Sequence, residues 1–323
     1  MISADHFWLL AVAMGVDALV GDPDLVWSRV PHPVALIGRL IALLDRGFNR
    51  REFGTAWLGV LGVLALLVVI VIAAGIGYAL ELAFARPFGW VGTILVAAVM
   101  LAGRSLYNHV AAVAAAFTVS LDAARTAVAR IVGRDPASLD EARICRAAIE
   151  SAAENFSDGV VAPALWFLLL GLPGLFAYKA INTADSMIGH LSPRYRAFGW
   201  AAARLDDVVN LPASRLAGVL VALAAPFAGG QIGQSLRIMA TDAGKHRSPN
   251  AGWPEAAMAA ALGVALAGPR RYAGIIVNDP FLNEHGRRDA TPVDIRRALR
   301  IYLGANALAF AAVLVVAVAR ALA

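Results

Sequence analysis

Five stretches without a charged residue most constrain what this chain can fold into. They cover residues 55–80, 87–103, 159–178, 216–236 and 301–319. A helix needs about 17–25 predominantly apolar residues to cross a bilayer, and each stretch meets that length. Only 16% of all residues are charged, whereas soluble domains carry about 25%. We therefore expect an integral membrane protein that enters the bilayer several times.

The remaining pattern is helical. No stretch alternates polar and apolar residues between hairpin turns, so the predicted fold class is all-α. A shorter apolar segment at residues 7–16 lacks the cationic flank of a signal peptide and is interpreted as a retained first helix. We expect one membrane-embedded domain over residues 1–323, polytopic, with about four to seven membrane-embedded helical segments, each long enough to enter the bilayer. Helical cytoplasmic blocks connect these segments.

The polar block 104–158 predicts a helical hairpin. Asp135-Pro136 would end its first helix, because the residue before a proline avoids the helical conformation. Ser138 would then cap a second helix that runs from Leu139 through the sequence ESAAENFSD.

Topology is predicted from the arginines, which mark the cytoplasmic side in short loops. A single crossing by residues 159–178 would leave the basic block 179–215 outside. However, GLPG (171–174) and APFAGG (225–230) interrupt their runs, and broken helices are tolerated where they line a protein cavity. We expect re-entrant or kinked runs with all polar blocks in the cytoplasm; simple spans are the alternative. Reaction from the periplasm of a cysteine placed at Ser192 would contradict the re-entrant arrangement.

The net charge of +5 reflects topology and contact with anionic lipid or substrate, since nothing resembles a nucleic-acid module. The basic residues include only two lysines, Lys179 and Lys245, against an arginine background. These lysines mark positions where a compact point charge is needed instead of a planar fork. The single cysteine, Cys145, excludes an internal disulfide and is interpreted as a small apolar filler.

A stripe of carboxylates precedes the third apolar run. Glu150, Glu154 and Asp158 recur every four residues and therefore share one helical face. Like charges at this spacing destabilise a helix, so either neighbouring arginines or a cation must compensate. Mg²⁺ binds one or two carboxylates together with substrate phosphates, and Asn155 adds a neutral polar contact. We favour the cation, with Glu154 and Asp158 as its ligands.

Two further polar clusters border apolar sequence, where ionisable residues are functional candidates. In residues 21–40, Asp22 and His32 are either site residues or a helix cap and a turn residue. In residues 178–215, acids, bases and amides recur at helical spacing. Its candidates are Lys179, Asn182, Asp185, Ser186, Arg204, Asp206, Asp207 and Asn210.

The fourth cluster, residues 242–256, combines cations with Pro and Gly. Lys245, His246 and Arg247 are consecutive and could cradle an anion, with Asn250 nearby. No GxxxxGK[ST], GxGxxG, HExxH, CxxC or GxSxG motif occurs in the chain. Carboxylates for metal and cations for anions, with few hydroxyl nucleophiles, indicate phosphate chemistry at a membrane surface.

The ordered clusters resemble the adenosylcobinamide-phosphate synthases of cobalamin biosynthesis, the CobD/CbiB family. The similarity covers about residues 10–275 and weakens over 276–290. It is carried by Gly21-Asp22-Pro23, His32-Pro33, ESAAENFSDGVVAP, YKAINTADSMIGH, RLDDVVNLPASRL and SPNAGWPEAA.

The resemblance implies a ligase that joins a propionate carboxyl of adenosylcobyric acid to (R)-1-amino-2-propanol or its O-phosphate. ATP and Mg²⁺ would drive amide formation as co-substrate and metal, with no permanently bound cofactor. Lys179 or Lys245 would neutralise phosphates, and Asp206, Asp207 or His246 would deprotonate the amine. The catalytic candidates are Glu150, Glu154, Lys179, Asp185, Asp206, Asp207 and His246. The substrate-binding candidates are Asp22, His32, Asn155, Asn182, Arg204, Asn210, Lys245, Arg247 and Asn250.

The expected location is the inner membrane, with the active site on the cytoplasmic side and other corrinoid-pathway enzymes as potential partners. Two alternatives remain. A secondary transporter for a corrinoid or anion would move substrate in vesicles without consuming ATP. A non-catalytic scaffold for corrinoid enzymes would tolerate alanine at Glu154 or Lys179 without losing product.

Overall fold

The computed structural model describes residues 4–50, 52–132, 139–272 and 275–323, and it is almost entirely helical. The all-α prediction is therefore confirmed. The helices are α1 Ala4–Val20, α2 Asp24–Trp27, α3 Pro33–Phe48, α4 Thr55–Phe84, α5 Trp90–Met100, α6 Gly103–Ala116, α7 Leu121–Val128, α8 Glu141–Phe156, α9 Ala162–Ile188, α10 Trp200–Val209, α11 Leu211–Leu223, α12 Ile232–Asp242, α13 Gly252–Leu262 and α14 Pro292–Leu322.

Four helical segments of the described chain are long and apolar enough to cross a membrane, which agrees with the predicted polytopic protein. Two shorter apolar helices, His6–Val20 and Leu211–Leu223, accompany them. The long segments are Thr55–Phe84, Trp90–Ala116, Glu141–Ile188 and Pro292–Leu322.

Both predicted helix breaks are present. Within α9, Gly171 adopts φ 65° and ψ −151°, and Pro173 follows it inside the helix. This positive φ requires glycine, whereas the Glu81 carboxylate, 2.6 Å from where a Cβ would lie, is the end of a flexible side chain that could move. After α11, residues Ala225–Ala228 form a 3₁₀ turn that ends at Gly229 with φ 77°. Re-entry of these segments stays a prediction.

The hairpin prediction for block 104–158 needs two corrections. Its first arm is two helices, α6 and α7, with Ser120 as the N-cap of α7. Asp135, Pro136 and Ser138 lie outside the described residues, but the helix of the second arm begins at Glu141, two residues later than expected. Asp140 is its N-cap, because its carboxylate accepts a hydrogen bond from the Arg143 amide at 2.8 Å.

Short strands were not expected, and the structure contains them between α13 and α14. Strands β1 (Leu266–Ala267) and β4 (Phe281–Leu282) pair antiparallel, with Leu266 opposite Leu282. Strands β2 (Arg270–Tyr272) and β3 (Ile275–Val277) form a second antiparallel pair. Two or three residues are too few to show an alternating pattern, so the sequence carried no strand signal.

The chain folds into two compact units, neither of which is contiguous in sequence. The first comprises Met1–Ala102, Ala162–Asn210 and Val313–Ala323, and the second comprises Gly103–Val161 and Leu211–Ala312. One functional domain over residues 1–323 stays a prediction.

Each unit has its own tightly packed helices. In the first, α4 packs against α9, and a Cβ at Gly77 would come within 2.6 Å of the Leu172 carbonyl oxygen. In the second, α13 packs against α11 and α12 and buries every residue from 254 to 262. Small residues at these contacts let the helix backbones approach closely.

Candidate active site

The last turns of α9 and the whole of α10 bring acids and amides together in the first unit. We call Asn182, Asp185, Asp206, Asp207 and Asn210 the acid centre. The Asn182 side-chain amide donates to a carboxylate oxygen of Asp206 at 3.3 Å. The Asn210 amide donates to the Asp206 carbonyl at 3.2 Å. The sequence identified these residues as candidates, and the structure brings Asn182 of α9 to Asp206 of α10.

Asp206 is the most perturbed acid of this centre. Its side chain is buried, with 9% of the residue exposed. Burial raises the pKa of Asp206 to about 7, the nearby charges of Asp185 and Asp207 add to the increase, and the two amide hydrogen bonds oppose it. A carboxyl group with this pKa exchanges protons near neutral pH, which suits acid–base chemistry.

Asp207 and Arg204 lie at the more exposed side of α10. Burial raises the pKa of Asp207, and the positive charge of Arg204 opposes that increase. The Arg204 guanidinium lies 3.0 Å from the Asp207 carboxylate, one helical turn away. Arg204 therefore balances the charge of Asp207, while a role in binding substrate stays a prediction.

Tyr178 was missing from the sequence-derived candidates. It is buried, and its hydroxyl donates to the Asn210 side-chain oxygen at 2.9 Å. Because Tyr178 and Asn182 lie four residues apart on α9, the spacing that identified Asn182 also points to Tyr178.

Lys179 and His32 belong to the same unit as the acid centre. Lys179 is 7% exposed despite its charge. Burial lowers the pKa of His32, and the positive charge of Lys179 acts in the same direction, whereas Asp22 opposes both. Electrostatic coupling thus joins the Asp22–His32 cluster to Lys179, although these residues are far apart in sequence.

His32 also has a structural role. Its Nδ1 accepts the Val34 amide at 3.2 Å and so caps α3, and its Nε2 lies 3.8 Å from Asp22. The ring of Trp27 packs edge-on against it, with centroids 4.6 Å apart. His32, and not Asp22, is thus the cap of α3, and its Nε2 is directed toward Asp22. A site role for either residue stays a prediction.

The predicted carboxylate stripe is not one exposed face. Glu150 is buried, and its carboxylate accepts the Ala267 amide of β1 at 2.8 Å, whereas Glu154 is exposed. Asp158 lies beyond α8 in a π-helical turn, Ser157–Val161, which changes the helical spacing. Asn155 donates to the Ser151 carbonyl at 2.9 Å. Glu150 is therefore separated from the other two acids by its tertiary contact.

A metal site with three protein ligands is not formed. Within the described ranges, no group of three or more His, Cys, Asp or Glu residues is placed to hold a metal ion. Glu154 and Asp158 are both accessible to solvent and supply carboxylate oxygens. That donor set fits a Mg²⁺ ion bound largely by phosphates and water, which is the usual arrangement for this metal.

The three consecutive cations of the fourth cluster do not form one anion cradle in the structure. Lys245 lies 2.8 Å from Asp242, and Arg247 lies 2.6 Å from Asp279. Burial would raise the pKa of Asp242, but hydrogen bonds from Lys245, the Asn283 amide and Thr241 hold it below its usual value. Lys245 and Arg247 thus bind different carboxylates. The sequence did not show the contact of Arg247, because Asp279 lies far from it along the chain.

His246 differs from its two neighbours because its ring is directed inward. Its Nδ1 accepts the Ser248 amide at 3.1 Å, and Nε2 lies 3.8 Å from the buried carboxylate of Glu255. The accepting Nδ1 requires the proton to reside on Nε2. His246 is therefore not arranged as a free general base in this conformation.

Asn250 is fixed by residues that sequence reasoning missed. Its side-chain oxygen accepts from Ser214 at 3.0 Å and from Arg215 at 2.9 Å. The Arg215 guanidinium also lies over the Trp253 ring, 4.7 Å from its centroid. Ser214 and Arg215 end the sequence NLPASR, so the motif contained them, but their contact with Asn250 is tertiary.

Comparison with known proteins identifies the family. A family model described as CobD/Cbib protein matches residues 10–302. Cobalamin biosynthesis protein CobD of Rhizobium meliloti is 50% identical over 310 residues, covering 94% of each chain. The CobD proteins of Brucella anthropi and Rhodobacter capsulatus are each 48% identical, covering 91% and 93% of this chain and the same shares of their own. No solved structure matches. The chain therefore belongs to the CobD/CbiB family of cobalamin-biosynthesis proteins.

Proposed function

We propose that this protein joins adenosylcobyric acid to (R)-1-amino-2-propanol, or to its O-phosphate, by ATP-dependent amide formation. The product is adenosylcobinamide or its phosphate. Family membership supports the pathway, and the sequence blocks that resemble the synthases support the reaction. The observation that carries the chemistry is Asp206, a buried carboxyl group with a pKa of about 7.

The proposed reaction has two steps, phosphoryl transfer and amide formation. A propionate oxygen of adenosylcobyric acid attacks the γ-phosphorus of ATP, which forms an acyl phosphate and releases ADP. The amine nitrogen then attacks the acyl carbon, and phosphate leaves with the electrons of the broken C–O bond. One proton must pass from the nitrogen to a base, since only the deprotonated amine is a nucleophile.

Asp206 is the base in this proposal. At neutral pH a substantial fraction of a carboxyl group with a pKa of about 7 is ionised and can accept the proton. Asn182 holds the Asp206 carboxylate by a hydrogen bond from α9, and the Asn210 amide donates to the Asp206 backbone carbonyl. Asp185 and Asp207 raise its basicity through their negative charges.

Lys179 is the cation that best fits phosphate neutralisation. It is buried on α9 in the same unit as Asp206, one helical turn before Asn182. A buried ammonium acts more strongly on a phosphate than an exposed one, because solvent screens it less.

Magnesium enters with ATP as its co-substrate complex. The ion would neutralise charge on the phosphates during transfer. Glu154 and Asp158, which belong to the second unit, stay a prediction as its ligands. The arginine-rich polar blocks and the size of the corrinoid substrate favour a site on the cytoplasmic side of the inner membrane.

The test is a product assay with purified protein in detergent. Adenosylcobyric acid, Mg·ATP and either aminopropanol or its O-phosphate are supplied, and mass spectrometry follows the amide and ADP. Asp206→Asn should lower the rate by about 100-fold or more, as expected for a lost general base. Asp289→Asn is the matched control, because that side chain is 83% exposed and lies outside the site.

Each outcome separates the alternatives. Amide from wild type and Asp289→Asn but not from Asp206→Asn supports both the ligase and its base. Equal rates for all three proteins keep the ligase but remove Asp206 from its chemistry. No amide from folded wild type, together with ATP-independent corrinoid flux in vesicles, would favour a transporter with the kinked α9 at its centre.

A further inference from the structure

The first unit contains an apolar cavity outside the acid centre. It has a volume of about 540 Å³, within the range of about 300–1,000 Å³ typical of ligand pockets. Helices α3, α4, α5 and α9 form its walls. Its lining includes Leu36, Ile37, Val69, Ala73, Ile76 and Phe176. Leu36 and Ile76 are 48% and 49% exposed, so the cavity opens to the surface of the unit.

Trp27 contributes a polar group, its indole N–H, to the lining of the cavity. Its indole Nε1 is buried and finds no hydrogen-bond acceptor among the residues that the structure describes. An unpaired buried N–H group is unfavourable, because it loses water without gaining another partner. A ligand that combines an apolar chain with a hydrogen-bond acceptor would satisfy both the cavity and this indole.

Two arginines lie beside lining residues along the chain, and one acid, Asp22, lies 3.8 Å from the His32 ring that packs on Trp27. Arg29 follows Trp27 by two residues, and Arg39 lies between Leu36 and Leu40, both of which line the cavity. Both arginines are exposed, and neither forms an ion pair within the described residues. The acid of α3, Asp45, is buried and lies 2.6 Å from Arg194. The exposed charge next to the opening thus complements an anion.

Helix α3, which forms one wall of the cavity, resembles a helix that lies at the membrane interface. On α3, Leu36, Leu43 and Phe48 are exposed together with Arg39 and Arg46. Exposed apolar residues beside arginines are typical of helices that lie at the level of lipid headgroups.

We propose that the cavity binds one acyl chain of an anionic phospholipid. The chain lies among α3, α4, α5 and α9, the Trp27 indole donates to a lipid ester carbonyl, and Arg29 and Arg39 attract the phosphate. This lipid is a bound structural ligand, and its binding does not depend on the proposed ligase activity.

Native mass spectrometry of the delipidated full chain in detergent tests this site. Dioleoyl phosphatidylglycerol and dioleoyl phosphatidylcholine are titrated separately, so that the anionic and zwitterionic headgroups are compared with identical acyl chains. We expect phosphatidylglycerol to bind with one saturable site and about fivefold more tightly, as expected for about one arginine's contribution near a membrane surface.

Two variants on α4 distinguish the cavity from the general lipid surface. Ile76→Trp places a large ring in the cavity from its open side and should weaken phosphatidylglycerol binding at least about tenfold. Val71→Trp is the matched control, since Val71 is 68% exposed on the same helix and does not line the cavity. It should bind like wild type. Retention of the wild-type melting temperature shows that each variant is folded.

Two polar variants test the remaining contacts. Trp27→Phe keeps the ring but removes the donor, and it should weaken binding by about two- to tenfold. Arg39→Gln should reduce the preference for phosphatidylglycerol, whereas Arg46→Gln should not, because Arg46 already donates to the Ala42 carbonyl. Equal effects of Ile76→Trp and Val71→Trp, or equal binding of both lipids, would overturn the proposal and indicate nonspecific boundary lipid.

Discussion

Two buried aspartates, one in each unit, have opposite electrostatic surroundings. Asp206 in the first unit has amide donors and two neighbouring acids, so burial dominates and its pKa rises to about 7. Asp242 in the second unit receives Lys245 and the Asn283 amide, and its pKa falls despite burial. The comparison teaches that burial alone does not identify a reactive acid. The donors around the carboxylate decide whether its charge is satisfied by the fold or available for chemistry.

Replacement of each lysine by arginine should give the largest difference in activity between the two units. Lys179→Arg should abolish most amide formation, because a larger planar cation in a buried site overpacks it by about 1–3 kcal/mol. Lys245→Arg should retain activity, since its ammonium is 41% exposed and an arginine can still reach Asp242. Product assays on both variants measure this difference. Equal losses would show that burial does not distinguish the two lysines.

Asp242→Asn tests whether the second aspartate is structural. The substitution weakens the bonds to Lys245 and to the Asn283 amide, so the free energy of unfolding should fall by about 1–3 kcal/mol. Thermal unfolding in detergent provides the measurement, with Asp289→Asn as an exposed control. A stable but inactive Asp242→Asn protein would move Asp242 from the structural group to the catalytic one.

The two aspartates also predict opposite pH dependences of stability. Because the folded pKa of Asp206 is raised from 3.8 to about 7, its protonation stabilises the fold at low pH, and this contribution is lost as pH rises to about 7. Asp206→Asn should therefore gain stability relative to wild type across that interval.

For Asp242 the sign is reversed. Its folded pKa is below 3.8, so its stabilising contribution is present above that value and is lost as pH falls through the folded pKa. The deficit of Asp242→Asn should accordingly shrink in acid. Melting curves of both variants and wild type between pH 3 and pH 8 measure the two trends, and parallel trends would contradict the comparison.

The parts of the fold that depend on local sequence were predictable. Apolar length identified the candidate spans, and Gly171 and Pro173 marked the break in α9, because backbone restrictions act within a few residues. Helical spacing likewise identified Asn182 as a candidate, whereas its contact with Asp206 is tertiary. The late start of α8 shows the limit of this method, since Asp140 and Ser138 are both good caps and only the structure selects one.

The contacts that sequence reasoning missed join residues far apart along the chain. Glu150 binds the backbone of Ala267, and Arg247 binds Asp279. Periodicity describes which face of a helix a residue occupies, but it does not identify the partner opposite that face. For this reason the sequence did not show that Glu150 contacts Ala267 or that Arg247 contacts Asp279, whereas Glu154 and Asp158 as metal ligands stay a prediction.

The interleaved segments of the two units also have a consequence for biosynthesis. Residues 313–323 complete the first unit, yet they are translated after every segment of the second. In this segment, Arg320 lies over the ring of Phe7, 5.3 Å from its centroid. Phe7, near the start of the chain, can therefore make this contact only when translation is almost finished. The first unit must therefore remain incomplete in the membrane while the ribosome finishes the second, and a nascent chain stopped before Val313 contains all of one unit but only part of the other.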